Sequence, residues 1–235
     1  MLWKITQHFL TTLVLIYSGI HWGVACIPSA YMVFYMIDFT KDFSIIGQSI
    51  LIGMSIGLGI PMWMISNIFI TALIGFIFKP KINKTRVPFF SIITIQWAFL
   101  SVIDRLAKPC VYHMVPSWIT NFYYRAMGCK IGKDAIISSD RINDAYMVEI
   151  GHGSIIGSRA LITAHIAEKN NLVLSPISIG NNCLIGLGAQ INPGCVIEDN
   201  VVIASRAIVP KYTTVPSGET WAGIPAKSIK KKKVK

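Results

Sequence analysis

His165 closes the stretch ALITAH, and Glu168 follows it three residues later. An imidazole is the side chain best suited to take a proton from a hydroxyl or amine as that group attacks a carbonyl carbon. Glu168 could orient the ring or contact the attacking molecule, and so could Asp140 or Asp144 from the stretch just upstream. A developing oxyanion needs backbone N–H donors, which a tight turn such as Gly186–Leu187 could supply. His152, in the turn GHG, reads as a solvated turn residue, and His8, His21 and His113 fall in the apolar first half. Five cysteines (Cys26, Cys110, Cys129, Cys183, Cys195) form an odd set without a C-x-x-C pair. That pattern argues against a disulfide framework or a zinc site and for buried thiols in a reducing compartment, so no metal is expected.

A regular element must position His165. Val173, Ile179, Ile185, Ile191, Ile197, Ile203 and Val209 follow one another at intervals of six, and four residues after each comes a mostly small residue, among them Cys183, Ala189, Cys195 and Ala207. Between them lie pairs that suit turns: Asn181–Asn182, Leu187–Gly188, Pro193–Gly194, Asp199–Asn200 and Ser205–Arg206. The spacing predicts a solenoid in which each hexapeptide is a short strand and a turn, three of them closing a triangular coil. Upstream, Ile131 and Ile137 keep the beat, and after a one-residue slip so do Ile150, Ile156 and Ile162, making about four coils. The next aliphatic is due at 168, where Glu168 stands, and the beat resumes at Val173. Five extra residues therefore leave the coil directly after His165, and a loop is expected to overhang the wall beside it.

The first half has a different solvent. Ile5 to Ile37 and Phe43 to Phe78 each lack Asp, Glu, Lys and Arg, and each exceeds the roughly 20 residues that cross a bilayer. Both are expected to be membrane spans, the first too long for a cleaved signal and so retained. Pro61 interrupts the second run, allowing a hairpin of two shorter helices, and Ser49, Gly53 and Gly57 offer a small-residue face for close helix packing. Val87 to Ile103 is a third apolar segment, expected at the membrane interface with Trp97, Trp118, Tyr123 and Tyr124. The net charge of +11 is concentrated in Lys79, Lys81, Lys84 and Arg86 and in Lys227, Lys230 to Lys233 and Lys235. Such clusters suit anionic lipid head groups and a cytoplasmic side, with DFTKDF outside; no aromatic-interleaved platform for nucleic acid is present. The division expected is 1–86 transmembrane helices, 87–127 interfacial linker, 128–216 coiled domain and 217–235 basic tail.

The motifs ITAH, PISIGNNCLIG and AGIPAK resemble those of the hexapeptide-repeat acyltransferases, over about Gly128 to Lys230. With the two apolar runs ahead of it, the resemblance implies N-terminal transmembrane helices followed by an all-β left-handed parallel β-helix; it further implies acyl-CoA, most often acetyl-CoA, as donor and a homotrimer with sites between subunits. It maps the family's general base to His165 and its CoA contacts to Gly186, Leu187, Ser205, Lys211, Lys227 and Lys230; the family's Trp before IG is Leu184 here. GFIFKPKINKTRVPFF, RAMGCKIG, DRINDAYMVEIG and HIAEKNNLVLSPISIG are similar, more closely, to the membrane-attached C-terminal module of polylysine-type non-ribosomal peptide synthetases. These likenesses imply a bacterial inner-membrane acyltransferase whose β-helix faces the cytoplasm and whose membrane-associated acceptor is a glycan, lipid or peptide with a hydroxyl or amine. Two competing readings differ in what they need. A γ-type carbonic anhydrase requires three His ligands where the coils carry His152 and His165 alone, and a membrane-tethered scaffold requires no competent base.

Overall fold

The computed structural model describes residues 2–229. Two long helices come first, α1 (Leu2–Phe39) and α2 (Ile45–Phe78), packed on one another, and both are long and apolar enough to cross a membrane. Ser44 caps α2 by accepting from the Gly47 N–H, and the helix runs unbroken through Pro61, so the two-helix hairpin does not form. The close approach to α1 is also elsewhere than expected. Gly53 and Gly57 face open space, whereas Gly59 lies against Ser29, whose hydroxyl donates to the Gly59 carbonyl at 2.8 Å.

A basic loop leads to a short strand, Thr85–Pro88, and then to α3 (Ile92–Met114) and α4 (Trp118–Ala126). Ser91 and Ser117 cap these helices through the N–H groups of Thr94 and Thr120. The strand straddles the boundary expected at residue 86, and α3 extends well beyond the apolar segment that announced it. Tyr123 and Tyr124 are fully buried, their hydroxyls donating to Asp104 at 2.6 Å and to the Ser139 carbonyl at 3.1 Å, so they are packing residues rather than an interfacial belt. Trp118 is exposed.

From Lys130 the chain winds into three parallel sheets. Ile131, Ile150, Ile179, Ile197 and Val215 line up on one side of the coil, Ile137, Ile156, Ile185 and Ile203 on the second, and Ile142, Ile162, Ile191 and Val209 on the third. All but the first are essentially inaccessible to solvent. The second residue of each turn pair is left-handed, as at Asn182, Gly188, Gly194, Asn200 and Arg206. Coils stack so closely at Gly186 that a Cβ there would stand 2.5 Å from the Ser205 nitrogen, a contact only glycine avoids. Strands Thr220–Gly223 and Ala226–Ser228 continue the second sheet, so the β-structure runs past the tail boundary expected at residue 217.

Two departures from the hexad shape the site. Ile142 follows Ile137 after five residues instead of six, and the chain recovers through a 3-10 turn at Ala145–Met147 entered by Asp144 at φ 55°. The second departure is longer than the sequence suggested. Val173 is not a coil position, because strands His165–Glu168 and Asn171–Leu174 form an antiparallel hairpin that pairs Val173 with Ile166 and Arg86. The coil resumes at Ile177–Ile179, so eleven residues beyond the regular step of six lie between Ile162 and Ile179. The Ser175 N–H donates to the Ala164 carbonyl at 2.9 Å and closes the base of the hairpin.

Candidate active site

His165 is the first residue of that hairpin, and the short upstream step delivers its partner. Asn143 pairs with Thr163 across the third sheet, so the next residue, Asp144, emerges beside the root of the hairpin. His165 Nδ1 and Asp144 Oδ2 are 2.6 Å apart, with the Thr163 hydroxyl at 3.3 Å from the same nitrogen. The Asp144 side chain is 3% exposed and that of His165 28%, which makes an enclosed carboxylate carrying a reachable imidazole. A charge-assisted bond in such surroundings fixes the tautomer with the proton on Nδ1 and leaves Nε2, which has no hydrogen-bond partner among the described residues, as the basic atom.

A cavity of about 300 Å³ opens in front of the pair, lined on one side by Trp97, Leu100, Ser101, Asp104, Arg105 and Lys108 of α3. Their spacing of three and four residues marks one helix face. The opposite wall is Asn143, Asp144, Ala145, Tyr146 and His165, with Met127 between. Trp97 therefore faces the coil rather than a bilayer, its ring edge-on to the imidazole at 4.8 Å between centroids and its Nε1–H donating to Asp144 Oδ1 at 2.8 Å. Asp104 and Lys108 are paired with each other at 3.2 Å. The Tyr146 hydroxyl is buried without a hydrogen-bond partner among the described residues. Burial, then the Asp144 charge, push this phenol well above its ordinary range, so it stays protonated and able to donate.

Glu168 does not reach His165. In a strand, residues three apart point to opposite faces, and the Glu168 carboxylate instead pairs with Lys211 and, at 3.8 Å, with Arg86. The hydrogen bond from Lys211, followed by the charges of Lys211 and Arg86, holds its pKa below the usual carboxylate range. Asp140 also lies apart, beside a separate pocket with Lys108, Arg141, Asn143 and Leu161. His152 is an exposed turn residue whose Nδ1 lies 2.6 Å from the Lys133 carbonyl.

The residues expected to hold the donor are spread over the coil. Gly186, Leu187 and Ser205 share one corner on successive turns, Lys211 sits at the corner that carries the hairpin, and Lys227 lies on the last strand. The Gly186 N–H is engaged by the Ile203 carbonyl at 2.8 Å and is unavailable to an oxyanion, whereas the Leu187 N–H has no partner among the described residues. Lys230, and the lysines that follow it, lie outside the described residues.

Residues 176–211 match the bacterial transferase hexapeptide family of six repeats. The delta-poly-L-ornithine synthetase of Acinetobacter baumannii is 30% identical over 148 residues, 63% of this chain and 11% of that protein. Galactoside O-acetyltransferase of Escherichia coli is 38% identical over 96 residues, 38% of this chain and 46% of that one. The mitochondrial gamma carbonic anhydrase 2 of Arabidopsis thaliana is 28% identical over 110 residues, 44% of this chain and 40% of that one. The chain spans less than half the length of each of these three. Its hexads and these likenesses agree: residues 176–211 carry the bacterial transferase hexapeptide repeat, and the repeat half of the chain is similar to hexapeptide-repeat transferases.

Proposed function

We propose that this protein is a membrane-bound acyltransferase that moves an acyl group, most simply acetyl, from acyl-CoA to a hydroxyl or amine of a membrane-associated acceptor. The observation that carries the reading is the enclosed His165–Asp144 pair at a cavity whose other wall is α3, the first helix after two apolar ones. The acceptor gives its proton to His165 Nε2 as its oxygen or nitrogen bonds to the thioester carbonyl carbon, while Asp144 holds Nδ1–H and favours the imidazolium. The carbon–sulfur bond then breaks and the CoA sulfur leaves with the proton returned from the ring. No covalent acyl-enzyme is required. The Leu187 N–H is the candidate oxyanion donor.

None of Leu187, Ser205, Lys211 and Lys227 lines the cavity in front of His165, which supports a trimer in which the donor lies between subunits. CoA is a cytoplasmic metabolite and the loop from Lys79 to Arg86 is basic, so the coil is placed on the cytoplasmic side after two crossings. A non-catalytic scaffold would leave the enclosed Asp144 and the partner-free Nε2 of His165 without a use. The test is direct: the full-length protein in detergent is incubated with acetyl-CoA and extracted membrane lipid, released CoA thiol is counted, and the acylated product is found by mass spectrometry. Acetyl-CoA binding with His165-dependent thiol release is expected. Failure to bind acetyl-CoA would overturn the proposal, as would labelling of Ser217→Cys by an impermeant reagent from outside intact cells.

A further inference from the structure

We infer that Trp97 on α3 is a positioning residue for the His165–Asp144 pair, so that the segment leaving the apolar helices is part of the active site and not merely a tether. The inference deepens the acyl-transfer reading and rests on it for one arm of the test below.

Asp144 has little to hold its side chain apart from these partners. Its backbone is left-handed, and its carboxylate does not cap the 3-10 turn that it begins. Each oxygen has its own donor, Oδ2 on His165 Nδ1 at 2.6 Å and Oδ1 on Trp97 Nε1 at 2.8 Å. Two donors on different oxygens fix the plane of a carboxylate where one alone leaves it free to swing, and a buried carboxylate oxygen left without a donor is costly. The indole N–H is a donor only, so the direction of this bond is not open to choice. The ring of Trp97 also packs against the imidazole, so a single side chain touches both members of the pair.

α3 is in turn fixed at two points that flank Trp97. Near its start the Thr94 hydroxyl donates to the Pro88 carbonyl at 2.9 Å, at the end of the strand that pairs Thr85 with Leu174, and Leu174 with His165. Past its middle the Leu106 carbonyl accepts from Asn67 of α2 at 3.0 Å and from Trp22 of α1 at 3.3 Å. Nine residues separate Trp97 from Leu106, about 13 Å of helix. The orientation of the base is thereby set by the apolar helix pair on one side of Trp97 and by the juxtamembrane strand on the other.

The experiment uses the full chain in nanodiscs. Trp97→Phe keeps a ring against the imidazole and removes the N–H. Turnover with acetyl-CoA should fall about tenfold, the worth of one charge-assisted hydrogen bond, with KM for acetyl-CoA within twofold. In an Asp144→Ala background the same substitution should cost nothing further, because Trp97 acts through Asp144. An independent readout is the nitrogen NMR spectrum of labelled histidine: His165 should be the Nδ1–H form in the wild type and a mixture of tautomers in Trp97→Phe. Asp144→Asn, which preserves side-chain size, should give a like mixture and calibrates the readout, and Trp97→Tyr, which also lacks the indole N–H, serves if Trp97→Phe does not fold. An unchanged tautomer ratio in the Trp97 variant, or additive losses in the double variant, overturns the inference. A changed ratio with no His165-dependent turnover leaves the positioning role standing and removes the acyl-transfer reading instead.

Discussion

The coils from Ile177 to Val215 and the stretch from Ser139 to Ser175 are built from the same hexads but are closed by different means. In the regular coils each turn is closed by the next: the N–H groups of Gly180 and Gly186 donate to Ile197 and Ile203 of the following coil, both at 2.8 Å. In the irregular stretch the partners come from outside the repeat. Tyr124 of α4 donates to Ser139, Trp97 of α3 to Asp144, and strand Thr85–Pro88 extends the hairpin sheet. A repeat can supply stiffness by itself, but an enclosed carboxylate and a projecting imidazole are departures from it. Departures need polar partners that a hexad of aliphatic and small residues does not contain.

Two deletions would break this comparison most severely. Removing His165 to Ser175 joins Ala164 to Pro176 and returns Ile162 and Ile179 to a step of six. The coil should persist, as read by far-ultraviolet circular dichroism and by its oligomeric state, while turnover is lost. Removing only Glu168 to Leu172 leaves a step of twelve, which puts Ile179 on the wrong side of the triangle, and this chain should not fold. If the shorter deletion folded as well as the longer one, the hairpin would not be an insertion between fixed coil sides.

Next in size is His165→Gln, which retains a side-chain amide as donor to Asp144 but has no basic nitrogen. Turnover should fall about 10²- to 10⁴-fold, the usual contribution of a positioned base. The melting temperature should change little. His165→Ala should lose as much turnover and in addition about 1–3 kcal/mol of stability, because it leaves an Asp144 oxygen buried without its donor. Turnover of either variant within threefold of wild type would reduce His165 to a turn residue and favour a scaffold.

The opposite pattern is expected in the regular region. Ile191 is completely buried among its coil neighbours and is not part of the cavity lining. Ile191→Ala should cost about 2–5 kcal/mol in denaturant unfolding, with turnover at 25 °C within twofold of wild type. A parallel loss of turnover would show that the coil and the site are not separable.

Much of this division was legible from residue spacing. Ile150, Ile156, Ile162 and the six-residue run from Ile179 read directly as inward positions, and the left-handed turn residues stood where Asn, Gly and Arg were placed for them. Ile142 was missed because a step of five residues followed by a 3-10 turn looks, in sequence, like one slipped residue before Ile150. Val173 was misplaced because a hairpin strand and a coil strand alternate in the same way. Glu168, Asp140 and Asp144 were all open as partners for His165; alternation along the strand turns Glu168 away although it is nearest in sequence, and the nearer atom belongs to Asp144. Trp97 left one trace, the spacing of positions 97, 100, 101, 104 and 108 along a helix. The apolar run from Val87 to Ile103 masked it, and no local pattern tells which distant surface a helix face will meet.

The smallest effect is a test of whether the hairpin opens on its own. The Lys211 and Arg86 partners hold the Glu168 carboxylate ionised below the range in which a free glutamate takes up its proton. A group with a depressed pKa steadies the folded form fully above its unfolded value, about pH 4.3, and this contribution is lost as the pH falls through the depressed one. Hydrogen exchange of residues 165–174, corrected for intrinsic rate, should therefore quicken in acid, between about pH 4.3 and the depressed value. The amides of Ile185 and Ile203 in the regular coils should keep their protection over the same interval. Glu168→Gln has no proton to gain, so its hairpin should exchange faster already at pH 6 and show no further change across that window. Because the carboxylate is near the surface, the effect should be confined to local opening, without a measurable shift in global unfolding. Coil amides that lose protection in step with the hairpin would mean that the two regions open as one cooperative unit, with the contrast between them a matter of chemistry alone and not of stability.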